Sequence, residues 1–317
     1  MYDPKFFDLE NHQDPNNLFP AAVNSDNELL NKNFWINDNY FIFLAVSNEN
    51  RKNMLFGFKR IIDYCRHIKK FDKKPVKDCD YIPCFFNQEL NEVSGKNFFS
   101  CGCYGNLLEL MSVSGDRKRA NLMLDYLESI EFFKCPDYGF WESDKKELRS
   151  SSLASCIRGI ESFMENIEVS EKADYLVNKG YESLENLLPF ECDSFPFNLA
   201  CLNLIYPKQL VDDYFKKKIL KNTHLHLEKS FGLIRWPGDR FDGVDFSQRR
   251  GREMQWPLGL PWLYLSGGNI FPLLISIKIK ERFSTIPQGI IRGEPNNTPH
   301  LLMGELLYKL AIEKYLK

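Results

Sequence analysis

Helical periodicity dominates this chain and limits the folds open to it. In several long segments apolar residues recur three and four positions apart, so each segment would have one apolar face. The clearest faces are Ala120, Met123, Leu124, Leu127 and Ile130; Leu153, Cys156, Ile157, Ile160, Phe163 and Met164; and Leu210, Val211, Tyr214, Phe215 and Ile219. Sustained strand-like alternation is scarce, and the best strand candidates, 41–45 and 273–279, fit a buried helix equally well. The sequence therefore predicts an all-α fold.

The spacing of loops predicts how these helices are arranged. We expect eleven helices, at 39–47, 50–70, 103–114, 116–132, 150–166, 169–187, 195–204, 207–227, 256–267, 269–282 and 299–316. Short connections alternate with long ones at 71–98, 133–149, 228–254 and 283–298, which predicts helical hairpins with the long loops at one end. Six hairpins in a ring form an (α/α)6 barrel, and we expect residues 1–317 to be one such domain. An α-solenoid is the alternative, but the chain has no repeating sequence unit.

Composition excludes several classes of function. The formal net charge is −2 and no basic stripe occurs, so we expect no nucleic-acid partner. The nine cysteines form no CxxC pair and have no histidines at zinc spacing, which predicts reduced thiols, no metal and no cofactor. No secretory signal and no apolar stretch of about 20 residues is found, which predicts a cytoplasmic protein without a membrane partner. Nothing in the sequence indicates an oligomeric state.

The most informative segment is Tyr138–Glu142, which reads Tyr-Gly-Phe-Trp-Glu and precedes a Ser-rich helix start. Sugars bind to aromatic faces and are cleaved by carboxylic acids, so this segment fits the acid half of a glycosidase site. The alternative is a packed Trp141 beside a solvated Glu142. The long loops are where we expect the chemistry, because a rigid scaffold presents its functional residues there.

Two further segments join aromatic and charged residues. Trp35 and Asp38 precede an apolar helix, and Asp38 would either grip sugar hydroxyls or cap that helix. Arg235 and Asp239 would either contact a ligand or form an ion pair that stiffens their loop. The same loop contains Glu253, a further candidate for substrate binding, whereas Trp256 and Trp262 fit a core better than sugar stacking.

In order along the chain, these motifs resemble glycoside hydrolase family 15, the glucoamylases and glucodextranases. They resemble still more the glucoamylase-like domain of the phosphorylase kinase α and β subunits. The matching stretches are Leu18–Ala21, Trp35–Asn39, Gly139–Glu142 with Ser150–Ser152, Gln255–Leu258, and Pro299–His300 with Gly304–Glu305 and Leu307–Tyr308; Arg235–Asp239 resembles a glucoamylase loop. The match runs from about residue 15 to 316.

This resemblance implies a six-hairpin barrel and inverting hydrolysis of α-linked glucosides. Glu142 would protonate the glycosidic oxygen, and desolvation against Trp141 would keep its carboxyl group neutral near neutral pH. Asp38 would hold hydroxyls of the non-reducing sugar, and Arg235 and Asp239 would contact sugars near the cleaved bond. Inversion also requires a second carboxylate ~6.5–9.5 Å away, which activates water.

The sequence departs from the family pattern at the residue that would activate water. Bacterial and archaeal members carry the catalytic base where this chain has Gln288, and an amide cannot accept the proton of water. Glu294, in the same loop, is a possible displaced base, although it also matches a glycine-glutamate-proline that those members have in addition. Asn37 replaces an arginine, and the segment at Phe99–Tyr104 lacks the carboxylate of the family.

Three functions therefore remain open from the sequence. The first is an intracellular hydrolase of an α-glucoside or related oligosaccharide, with Glu142 as acid and Glu294 as a displaced base. The second is phosphorolysis, because phosphate is already anionic and needs no protein base; the nearby cations are Arg235, Arg240, Arg249, Arg250, Arg252 and Arg292. The third is a catalytically inactive module that binds carbohydrate or regulates another protein.

Overall fold

The fold was analysed in a computed structural model, which describes residues 13–14, 16–23, 30, 32–93, 98–239, 241, 254–291, 294–295 and 300–317. In these ranges the chain forms ten α-helices. They are α1 Ile36–Ala45, α2 Asn48–His67, α3 Cys101–Val113, α4 Arg117–Ser129, α5 Ser150–Asn166, α6 Glu171–Glu185, α7 Asp213–His226, α8 Gly259–Leu265, α9 Phe271–Phe283 and α10 Leu302–Leu316. Within the same ranges none is both long and apolar enough to cross a membrane.

Six inner elements close into a ring. Helix α1 contacts α3, α3 contacts α5, and α5 contacts a short 3-10 helix at Leu199–Leu204. That 3-10 helix contacts α8, α8 contacts α10, and α10 returns to α1. The prediction of an all-α (α/α)6 toroid is confirmed, because each inner element contacts two inner neighbours and the last meets the first.

The remaining helices lie outside this ring, each against the inner element that precedes it. Helices α2, α4, α6, α7 and α9 contact α1, α3, α5, the 3-10 helix and α8, respectively. Both segments for which a strand was considered are helical, in α1 and α9. Inner and outer elements therefore alternate along the chain, and the long connections run from an outer helix to the next inner one.

Short antiparallel strand pairs join the loops above the helices. They are β1 Ala22–Val23 with β8 His300–Leu301, β2 Asn33–Trp35 with β3 Phe85–Asn87, β4 Glu228–Lys229 with β5 Gly232–Leu233, and β6 Ile290–Ile291 with β7 Glu294–Pro295. The first two pairs join segments that are far apart in sequence. They tie the N-terminal segment to the last inner helix and the Trp35 segment to the loop at 71–98.

Several of the predicted helices were too long because periodicity does not reveal where a helix begins. The predicted helix 195–204 is the 3-10 helix Leu199–Leu204, and the predicted helix 207–227 begins only at Asp213. At the latter site the Asp212 carboxylate accepts a hydrogen bond from the Phe215 N–H at 2.9 Å, which caps α7. The predicted helix 150–166 has the observed bounds of α5.

The tightest packing in the ring joins α3 to α5. Gly105 faces the backbone of Ser155, and Gly159 faces the backbone of Gly105, so a Cβ atom at either position would overlap main-chain atoms of the other helix. Only glycine permits this approach. Because the loop at 133–149 ends at the first residue of α5, this contact also fixes the distance between that loop and α3.

We expect Gly105→Ala to lower the free energy of unfolding by about 2–3 kcal/mol or more, because the added methyl group meets rigid backbone. Gly102→Ala, in the same helix, is the matched control, since its Cβ would lie 3.3 Å from Ser100 Oγ and 3.4 Å from Ser152 Cα. Urea unfolding of both variants tests this prediction. Equal losses of stability would contradict the assigned helix contact.

Candidate active site

A pocket lies among the long loops and the first turns of the inner helices. Its empty volume, including the part open to solvent, is about 530 Å³. The lining residues are Ala21, Leu30, Trp35, Asp38, Phe140, Trp141, Glu142, Arg235, Phe241, Trp256, Leu258, Gln288 and Met303. They include five aromatic rings, two carboxyl groups and one guanidinium, so the pocket is an apolar cleft with a few polar groups, as small-molecule sites usually are.

Strand β2 and helix α1 bring Trp35 and Asp38 to this pocket. Trp35 is buried and stacks on Phe85 at 4.8 Å between ring centroids, which holds its ring against the loop at 71–98. Asp38 lies in the first turn of α1, but the helix begins after Trp35 and has no side-chain cap. Burial in the pocket wall raises the pKa of Asp38 to about 7. Asp38 is therefore a pocket residue and not the helix cap.

The N-terminal segment is held against α1 by the fully buried Asn39. Its amide donates to the carbonyl oxygens of Phe19 and Trp35 at 2.8 and 3.0 Å, and its Oδ1 accepts from the Phe19 N–H at 2.8 Å. These bonds explain how Ala21 reaches the pocket wall. The Leu18–Ala21 motif thus lies beside the Trp35–Asn39 motif.

Trp141 and Glu142 enter the pocket from a tight turn in the loop before α5. The Trp141 ring packs against Phe140, Trp256 and Trp262 at centroid distances of 4.6, 5.6 and 6.4 Å. Glu142 is half-buried, and its Oε1 accepts a hydrogen bond from the Cys84 thiol at 3.5 Å. One wall of the pocket therefore presents a carboxyl group beside an aromatic cluster.

Arg235 and Asp239 form a buried ion pair, the alternative left open by the sequence. Arg235 Nε and Nη2 donate to the two carboxylate oxygens of Asp239 at 2.7 and 2.9 Å. The guanidinium carbon lies 4.6 Å from the Trp236 ring centroid and 4.7 Å from those of Phe241 and Trp256. Arg235 lines the pocket, whereas Asp239 lies behind it and orients the guanidinium.

A series of backbone pairings joins the loops that carry Arg235, Trp256 and Gln288. Leu233 of β5 pairs with Trp256, and Gln255 pairs with Ile290 of β6. The segment that leads into β6 contains Gln288, which is 4% exposed and lines the same pocket as Glu142. The tertiary structure thus brings the amide at the expected base position to the same cleft as the expected acid.

Two of the predicted site residues cannot be compared with this pocket. Glu253 lies outside the described residues. The backbone of Glu294 pairs with Ile291 in the β6–β7 ladder, but the position of its side chain is outside the described part of the chain. Among the residues that are described, no group of His, Cys, Asp and Glu is arranged to hold a metal ion, and all nine cysteines are free.

The sequence analysis missed several residues of the pocket wall. Trp256 was interpreted as core, and it is indeed buried, but one face lines the pocket beside Phe241. Phe241, Leu258 and Met303 were not among the expected binding residues, since an apolar residue in a loop or near a helix start looks the same in sequence whether it packs inward or faces a ligand. Only the folded ring distinguishes these cases.

The fold matches solved structures of carbohydrate-active enzymes. A wild-type glycosidase superposes with a TM-score of 0.77 at 15% identity, covering 96% of this chain and 93% of its own. A bacterial glucoamylase complexed with acarbose matches with a TM-score of 0.68 at 13% identity, covering 94% of this chain and 52% of its own. A glucoamylase from Saccharomycopsis fibuligera gives 0.61 at 9% identity, with 94% and 88% covered.

These likenesses extend over nearly the whole chain, but they concern the fold. No protein-family model and no curated protein matches the sequence. The chain therefore has the glucoamylase-like (α/α)6 fold, and its chemistry must be argued from its own residues.

We expect Asp239→Asn to lower the free energy of unfolding by about 3–5 kcal/mol, because it leaves a buried guanidinium without its counter-charge. Glu182→Gln is the control, since the Lys179–Glu182 pair at 2.6 Å is exposed to solvent and should contribute little to stability. Chemical denaturation measures both. A small loss of stability in Asp239→Asn would mean that water, and not Asp239, stabilises the Arg235 guanidinium.

Asp38 should make stability fall as the pH rises. The unfolded chain releases this proton near pH 4, whereas the folded protein holds it until about pH 7, so the stabilising contribution of the protonated group is lost between these values. The free energy of unfolding of Asp38→Asn, compared with that of the wild type, should therefore rise by on the order of 1–3 kcal/mol between pH 4 and pH 8. Asp72→Asn, an exposed carboxylate, is the control; parallel curves for wild type and Asp38→Asn would refute the assignment.

Proposed function

We propose that this protein is a glycoside hydrolase that acts on an α-linked glucoside or a related oligosaccharide. The observation that carries the proposal is the position of Glu142, whose half-buried carboxyl group lines an aromatic pocket together with Asp38 and Arg235. Aromatic faces bind the apolar faces of sugar rings, and the charged groups bind hydroxyls. A carboxylic acid within such a pocket is suited to protonate a glycosidic oxygen.

Glu142 is assigned the general acid in this mechanism. Glu142 is half-buried and lines the pocket together with Phe140 and Trp141, which is the apolar setting that a proton-donating carboxyl group requires. The developing alkoxide of the leaving sugar would take the proton as the glycosidic bond breaks. In an inverting enzyme, the base would then deprotonate the water that attacks the opposite face of the sugar ring.

Asp38 and Arg235 are assigned to the bound sugar. A carboxylate accepts two hydroxyl hydrogen bonds in a fixed geometry, and Asp38 is held in the first turn of α1. Arg235 is fixed by Asp239 and by the rings around it, so the part of it that lines the pocket can donate to a hydroxyl without first being ordered. Trp35 and Trp141 supply aromatic rings to the same pocket.

Glu294 is the candidate base for hydrolysis, in a displaced position. Its place in the chain supports this role: the β6–β7 pair follows Gln288, which lines the pocket, and Glu294 begins β7. An amide at Gln288 can hold a water molecule by hydrogen bonds but cannot take its proton.

Gln288 also favours a second candidate function, a carbohydrate-binding or regulatory protein that does not turn over its ligand. Phosphorolysis is a third reading, because phosphate needs no base. Sugar binding would be common to all three. The candidates differ in whether water, phosphate or nothing attacks the anomeric carbon.

We expect Glu142→Gln to lower turnover at least about a hundredfold while the affinity for the sugar changes little, because the amide keeps the shape and loses the proton. Release of glucose from a panel of α- and β-linked oligosaccharides measures turnover, and thermal shift measures binding. Asp144→Asn, an exposed carboxylate in the same loop, is the control and should retain wild-type turnover. Unchanged turnover in Glu142→Gln would refute the assignment of the acid.

The same panel separates the three candidates. Hydrolysis that Glu294→Gln abolishes supports the displaced base. Products that form only with inorganic phosphate indicate phosphorolysis. Sugar binding without any product, together with new hydrolysis in Gln288→Glu, indicates a binding protein whose pocket lacks a base.

A further inference from the structure

Arg149 is a buried arginine that directs its donors at the loop carrying Glu142. It is the last residue of that loop and lies immediately before α5, with 2% of its surface exposed. Its Nη2 donates to Ser143 Oγ and to the Lys145 carbonyl oxygen at 2.5 and 2.8 Å. Its Nε donates to the Asp137 carbonyl oxygen at 3.3 Å. One side chain therefore holds the loop at points before and after the acid.

The turn that Arg149 holds is strained at the acid itself. Glu142 has a φ of 44°, in the left-handed region, where a residue with a side chain costs on the order of 1 kcal/mol or more. The Ser143 N–H donates to the Tyr138 carbonyl oxygen at 2.8 Å and closes the turn. Such a backbone persists only where its surroundings enforce it, and the Ser143 hydroxyl, next to the acid, is the group that Arg149 contacts.

Gly139 shows how closely Arg149 fits the turn. Its φ is 75°, and a Cβ atom there would overlap Cδ and Nε of Arg149. The aliphatic part of Arg149 thus fills the space beneath the first half of the turn, while its guanidinium holds the second half. The arginine is both the packing partner and the hydrogen-bond donor of this turn.

A buried carboxylate, Asp137, keeps the guanidinium in place. Arg149 Nε lies 3.8 Å from Asp137 Oδ1, and Asp137 is 1% exposed. Asp137 also accepts hydrogen bonds from the N–H groups of Cys101 and Gly139 at 2.6 and 2.8 Å, and pairs through its backbone with Glu147. Burial raises the pKa of Asp137 to about 6, an effect that Arg149 opposes. Asp137 therefore joins three segments around Arg149: the start of the loop that carries Glu142, the end of that loop, and the start of α3.

We propose that Arg149 is a positioning residue for Glu142. Its guanidinium N–H groups hold the turn at Tyr138–Ser143 in the geometry that proton donation by Glu142 requires. The proposal rests on the proposed function of Glu142. Lysine cannot replace this arginine, because one ammonium group cannot reach Ser143, Lys145 and Asp137 at once as the planar guanidinium does. Arg149 itself does not line the pocket, so it acts only through the turn.

Two substrates that differ in their leaving group test this role. On an α-linked glucose disaccharide, whose leaving group must be protonated, Arg149→Lys should lower kcat about 10- to 100-fold with KM little changed. On α-glucosyl fluoride, whose leaving group departs without a proton, the same variant should lose less than about threefold. Glu142→Gln should give the same pattern with a larger loss. A variant that merely weakens the fold would affect both substrates equally.

Arg51→Lys is the matched control, because Arg51 also donates to two backbone carbonyls, of Phe43 and Leu44, at 2.9 and 2.7 Å, but at the far end of α1. It should leave both substrates unaffected. If Arg149→Lys does not fold, Ser143→Ala removes the hydroxyl that Arg149 contacts, together with its hydrogen bonds to the Tyr138 and Lys145 carbonyl oxygens, and should give the same dependence on the leaving group. Equal losses on both substrates would overturn the positioning role.

A second measurement does not depend on turnover. Glu142 is titrated by carbon-13 NMR in the wild type and in Arg149→Lys, and a midpoint displaced by about half a pH unit or more supports the proposal. An unchanged midpoint overturns it. If the loss of kcat in Glu142→Gln does not depend on the leaving group, or if no substrate is turned over, the proposed acid role of Glu142 fails. In that case the NMR titration alone decides whether Arg149 sets the environment of Glu142.

Discussion

The structure depends on how two inner helices begin inside the protein. Helices α3 and α5 start where water does not reach, and neither has a capping side chain of its own. Remote carboxylates accept from their first N–H groups: Asp137 from Cys101 at 2.6 Å, and Glu191 from Ser151 at 3.1 Å. Unpaired buried N–H groups would be costly, so the loops that supply these carboxylates are fixed to the ring. The loop at 133–149, which carries Glu142, is one of them.

The pocket follows from this arrangement. The long connections lead into the inner helices, so side chains from the loops and from the first helical turns meet at one end of the ring. The starts of α1, α8 and α10 supply Asp38, Leu258 and Met303, and two loops supply Glu142 and Gln288. The rings around Arg235 and its buried partner Asp239 keep its guanidinium in place in the pocket wall. Rigid elements thus present few polar groups in an apolar cleft, as ligand sites require.

Much of this could be predicted from the sequence, for physical reasons that apply locally. The bounds of α5 were correct because its apolar face has a regular period and both flanks are loops. The alternation of short and long connections predicted the ring, since short connections force antiparallel neighbours. Glu142, Trp141, Trp35, Asp38 and Arg235 were all selected as charged or aromatic residues in irregular segments, and all of them line one pocket. Their roles in a reaction stay predictions.

The sequence by itself determined the fold class, the order of the helices and which loops carry chemical groups, because these depend on periodicity and composition over short spans. Only the tertiary structure decided which of those groups meet. It paired Asp239 with Arg235, put Trp256 into the pocket wall and placed Gln288 in the same pocket as Glu142. It also revealed Arg149 beneath that turn. These contacts join residues distant in sequence, and their geometry exists only once the ring has closed.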